Sequence, residues 1–138
     1  MTAALARWEE RSTEAVIESL RDEPDPAQRL RLLVHRVLAH AGRDRLEVNL
    51  LAAADHPLVE PVLRRVTQRR MEYVIDLFRA VGLPPREARR RGLLAYSAHV
   101  GQAQLVARLP GLLPEDGPEP RRYLDSVLAV LLSGTDIA

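Results

Sequence analysis

The chain has 138 residues, 46% of them hydrophobic but only 4% aromatic, so a single-domain core must be built from Leu, Val and Ala, a mixture that favours helix over sheet. All 20 basic residues are Arg against 19 acidic ones; the net charge of +1 gives no overall attraction to nucleic acid, and without Lys there is no P-loop, Schiff-base or lysine-base chemistry. Without Cys there is no disulfide, thiolate nucleophile or Cys-bound zinc, and no apolar run reaches the roughly 18 residues of a membrane span.

The segment Met1 to Trp8 has no signal-peptide character, and a cytoplasmic protein is the expectation. The first helix is expected over Ala3 to Leu20, with Leu5, Trp8, Val16 and Leu20 as its sparse apolar signal. Pro24 and Pro26 break it, and Asp25 is placed to cap a second helix running to about Ala41. There Leu30, Leu33, Val34, Val37, Leu38 and Ala41 form an amphipathic stripe, and Gly42 ends it. Asp44 is placed to cap a short third helix through Leu46, Leu50, Leu51 and Ala54. The fourth runs from about Leu58 to Val81, the fifth from Pro85 to Ala107, and the sixth from Pro120 to Ser133, each bounded by Pro or Gly. The fold class is an all-α six-helix bundle, one domain over residues 1–138.

The last two helices carry more apolar surface than one stripe requires. On the fifth, Ala88, Gly92, Ala95, Tyr96, His99, Ala103 and Val106 make one face, and Leu94, Ala98, Gly101 and Leu105 a second, roughly opposite. On the sixth, Val127 to Leu132 is apolar all round. A homodimer would cover the excess, with Leu94, Ala98, Gly101, Leu105, Leu124, Val127, Leu128 and Leu131 in a seam made of two helices from each subunit. The alternative is a monomer that buries its last helix deeply.

Several stretches resemble one family in chain order. Leu5-Ala6-Arg7-Trp8-Glu9-Glu10-Arg11 resembles the helix that follows the DNA-binding module of TetR-family transcription regulators. Gly82-Leu83-Pro84-Pro85-Arg86-Glu87-Ala88, running into Leu94-Ala95-Tyr96-Ser97 and Val100-Gly101, resembles their penultimate long helix. Tyr123-Leu124 through Leu131-Leu132-Ser133-Gly134 resembles their C-terminal helix, and His56-Pro57 through Arg69-Arg70 the middle of the domain. The resemblance implies a ligand-binding and dimerisation domain that binds a small, largely apolar effector and moves its first helix in response. DNA would be bound only through an N-terminal helix-turn-helix that these residues lack, either because Met1 is an internal start or because the DNA reader has been lost. A stand-alone helical dimerisation module without ligand is the competing reading.

Enzyme constellations are missing: there is no Glu-x-x-His, His-Glu-x-x-His, Gly-x-Ser-x-Gly or Gly-x-Gly-x-x-Gly. No metal, cofactor or catalytic residue is expected. His35 and His40, five apart, stand about 140° apart on a helix and make poor joint ligands. Asp55-His56 reads as helix-break chemistry. From Arg64 to Arg91, nine Arg face Glu72, Asp76 and Glu87, which reads as solvated helix faces rather than a phosphate surface. The polar-capable residues on apolar stripes, Asn49, Tyr73, Tyr96 and His99, together with Phe78, are the expected wall of an effector cavity between the third, fourth and fifth helices. A buried polar group needs a partner, and that partner is either another residue or a ligand.

Overall fold

The computed structural model describes residues 2–135 of the chain. Helix α1 is continuous but not uniform: α-helical Thr2–Glu9, a π-helical segment Glu10–Glu14, then α-helical Ala15–Ser19. It is followed by α2 (Pro26–Ala39), α3 (Arg45–Ala52), α4 (Glu60–Ala80), α5 (Pro85–Arg108) and α6 (Glu119–Leu131). The described residues contain no strand, and no helix among them is long and apolar enough to cross a membrane.

The breaks follow local chemistry. The Asp25 carboxylate accepts from Ala27 N at 3.2 Å and the Asp44 carboxylate from Glu47 N at 3.1 Å, so both capping positions are occupied as the sequence suggests. Gly42 closes α2 in the left-handed region (φ +80), where a side chain is strained. A Cβ there would also lie 2.8 Å from Val106 Cβ on α5, so the glycine sets the approach of this turn to α5.

Two hydrophobic clusters share α4 as a common wall. The larger holds Leu30, Val34 and Leu38 of α2, Ile75, Leu77 and Phe78 of α4, Ala88 of α5, and Leu124, Leu128 and Leu131 of α6. The smaller holds Leu5 and Trp8 of α1, Leu50 of α3, and Val59 and Val66 at the start of α4. Helices α4 and α5 pack closely because Gly92 is bare: a Cβ on it would stand 2.7 Å from Ile75 Cγ1. Gly92 is therefore filled by α4 and opens no room for a ligand.

The expected dimer seam divides. Leu124, Leu128 and Leu131 are buried in their own subunit's larger cluster, which corrects their assignment to an intersubunit face. Val127 is half-buried against the same cluster. The sequence places Leu124, Val127, Leu128 and Leu131 on one face of α6, and that pattern is the same whether the face meets α2 of its own subunit or a partner. The side left outside carries Tyr123 and Val130, 48% and 57% exposed. On α5 the outer row stays uncovered: Leu94 and Leu105 are exposed, Ala98 is half-buried, and a Cβ on Gly101 would meet nothing within 4 Å.

Candidate functional site

A cavity of about 370 Å³ lies between α1, α2, α4 and α5. Its walls are mostly aliphatic: Val16 and Ile17 of α1, Leu30, Leu33, Val34, Val37 and Leu38 of α2, Val74 of α4, and Ala95 of α5. Arg36 and His40, both exposed, mark its mouth. Helix α3 contributes only Glu47, with its cap Asp44, so the cavity sits nearer α1 and α2 than the sequence suggests.

Its inner end is polar and lies where the two hydrophobic clusters meet. Arg70 of α4 is one turn beyond Val66, and its side chain is only 14% exposed. Arg70 Nε donates to Thr13 Oγ1 at 2.9 Å, and Nη1 donates to Glu47 Oε1 and to the Tyr96 hydroxyl, the latter at 3.2 Å. The guanidinium carbon stands 5.3 Å from the Trp8 ring centroid, a cation–π contact. His99 Nε2 approaches Glu47 Oε2 at 3.5 Å, and its ring meets Tyr96 edge-on at 5.7 Å between centroids. The Trp8 indole donates to Asp44 Oδ2 at 3.1 Å. Burial by itself would raise the Glu47 pKa, but the His99 hydrogen bond and the charges of Arg70 and His99 outweigh it and hold the carboxyl at about 2. Arg70 is likewise kept above its ordinary value, with Glu47 and Tyr96 overcoming its burial. Burial pushes the Tyr73 hydroxyl up.

The π-helical segment explains how α1 meets this cluster. Five residues turn through about 500° in an α-helix, which would leave Trp8 and Thr13 about 140° apart. A wider π turn returns position i+5 to nearly the same side. Trp8 and Thr13 accordingly both contact Arg70. Glu9 and Glu14, also five apart, both face α4, pairing with Arg65 at 2.8 Å and Arg69 at 3.1 Å.

Of the residues singled out from sequence, Tyr73, Tyr96 and His99 line this one cavity. Asn49 does not: it is exposed on α3, between buried Val48 and Leu50. Phe78 does not either, being wholly buried in the larger cluster. Those two placements correct the expected wall. Arg70, Glu47 and Thr13 carried no separate signal in the sequence. Arg70 in particular belongs to a run that reads as solvent-facing; Arg64, Arg65, Arg69 and Arg90 are indeed exposed and ion-paired, whereas Arg70 and Arg91 are ion-paired but largely buried. Two histidines away from the cluster have local roles: His40 Nδ1 lies 2.9 Å from Arg36 O, and His56 Nδ1 accepts from Leu58 N at 3.1 Å in the turn before α4, while His35 Nε2 stands 3.9 Å from Asp125 Oδ1 of α6. Among the described residues no group of three or more His, Asp or Glu is arranged to hold a metal ion. No family model matches the chain, and no curated protein or solved structure is significantly similar to it.

Proposed function

We propose that this chain is the effector-binding and dimerisation domain of a TetR-like transcription regulator, with the cavity beside Arg70 as its effector site. The observation that carries the reading is the cavity itself. Its volume of about 370 Å³ falls within the roughly 300–1,000 Å³ of small-molecule sites, and it combines apolar walls with a few placed polar groups. A stand-alone helical module has no use for an apolar-walled cleft open to solvent, where apolar area in contact with water is unfavourable. The wall formed by Ser12, Thr13, Val16 and Ile17 belongs to α1, which by the resemblance is the helix joined to the DNA-binding module. An occupant that prefers one position of α1 shifts the population toward it and changes the spacing of two DNA-reading heads. The outer rows of α5 (Leu94, Ala98, Gly101, Leu105) and α6 (Tyr123, Val130) supply the apolar surface for a homodimer.

Titration with a phenylnaphthylamine dye, whose emission rises in apolar surroundings, tests the effector site. One saturable site per chain is expected. Ala95→Phe and Val37→Phe, which fill the cavity from opposite walls, should each weaken binding at least about tenfold. Absence of saturable binding, or undiminished binding by both variants with helical circular dichroism intact, would remove the cavity from the account.

A further inference from the structure

The polar end of the cavity holds more donors than its own acceptors use. Arg70 spends Nε on Thr13 and Nη1 on Glu47 and Tyr96, while Nη2 makes no hydrogen bond among the described residues. The Tyr96 hydroxyl accepts from Arg70, which leaves its own proton without an acceptor among the described residues. The one carboxylate of the cluster is already taken on both oxygens, Oε1 by Arg70 and Oε2 by His99. His99 Nδ1, though buried, has no partner; with the ring N–H on Nε2 toward Glu47 it is an acceptor and not a further donor. Asp44, the other acid on the wall, receives the Trp8 indole.

This imbalance discriminates between ligand chemistries. A cationic amine would have to share Glu47 with Arg70 and His99 and stand beside the like charge of Arg70. A neutral alcohol answers one donor. A carboxylate answers two at once, one oxygen accepting from Arg70 Nη2 and the other from the Tyr96 hydroxyl. At the free Nη2 of Arg70 an anion meets an opposite charge and a cation a like one. A doubly charged phosphate would bring twice the negative charge into a largely apolar cavity, where uncompensated charge is costly.

We propose that the ligand is an amphipathic monocarboxylic acid. Its carboxylate lies against Arg70 Nη2 and the Tyr96 hydroxyl, and its hydrocarbon body runs between Leu33, Val34, Val37 and Val74. This assignment rests on reading the cavity as an effector site and adds the chemical class of the effector.

Displacement of the phenylnaphthylamine dye by decanoic acid, decanol and methyl decanoate at neutral pH separates the two levels. Decanoic acid should compete at least about tenfold better than the alcohol and the ester of the same chain length, as expected for charge-assisted hydrogen bonds. Tyr96→Phe and Arg70→Met should each reduce the ratio of acid to alcohol affinity, by roughly threefold to tenfold for the tyrosine. Tyr96→Phe preserves shape and keeps the test valid if Arg70→Met fails to fold. If the dye binds but the acid is no better than the alcohol or ester, the carboxylate assignment is wrong and the cavity reading stands. A ratio unchanged in Tyr96→Phe and in any folded Arg70→Met overturns the placement of the carboxylate. If neither dye nor acid binds, the cavity reading itself has failed.

Discussion

Glu47 shows how much one buried side chain determines here. Its folded pKa of about 2 lies below the ordinary carboxyl value of 4.5, so its contribution to stability is fully present above about pH 4.5 and is lost as pH falls through about 2. That difference corresponds to about 3 kcal/mol. Glu47→Gln should therefore be less stable than the parent by about this amount at pH 7, with Arg70 left short of its counter-charge. The gap should narrow steadily below pH 4.5. Urea unfolding at pH 7, 4 and 2.5 measures it, and a pH-independent gap would mean that the carboxylate charge is not what stabilises the cluster. At this scale the sequence was partly readable. Tyr73, Tyr96 and His99 stood out as polar-capable groups on apolar stripes of long helices, where the phase of the stripe is well determined. Asn49 lies on the short α3, too brief for its neighbours to fix which side faces inward. Phe78 failed for another reason: a fully packed core and a cavity wall present the same apolar pattern. Arg70 was invisible because a buried arginine in a run of mostly exposed ones differs only in its partners, which come from α1, α3 and α5.

Among the elements, helix order and the breaks were legible because Pro and Gly mark them chemically, Gly42 and Gly82 both adopting positive φ. The π-helical segment Glu10–Glu14 was not, since nothing in its composition departs from an ordinary helix, and its register is explained by the distant partners Arg65, Arg69 and Arg70. The partner of α6 was also hidden, because the stripe of Leu124, Val127, Leu128 and Leu131 reads the same whether it packs within the subunit or across a dimer. With its inner side now assigned to Leu124, Leu128 and Leu131, the two sides give opposite expectations. Leu105→Arg on the exposed row of α5 should leave the fold intact and convert a dimer to a monomer. Leu128→Arg should unfold the subunit, because it buries a charge without a partner. Sedimentation velocity with circular dichroism distinguishes the two, and a folded Leu105→Arg dimer as tight as the parent would exclude the outer row of α5 from the seam.

For the molecule as a whole, two hydrophobic clusters meet at a polar layer, and an unfilled space opens beside that layer. The all-α class followed from composition and periodicity. The space did not, because it arises from how α1 and α2 stand apart around side chains that any packed core would also use. Residues of α1 line it, and under the proposed function this is where occupancy would act on the helix joined to the DNA-binding module. Hydrogen exchange read by mass spectrometry, with and without saturating phenylnaphthylamine dye, tests this most directly, since binding suppresses local opening in the segments that enclose the ligand. The account predicts slowed exchange in residues 12–17, 30–38, 70–74 and 95–99, with little change in residues 110–118. Unchanged exchange in residues 12–17 and 30–38 at saturation, or protection confined to the turn between α4 and α5, would contradict it.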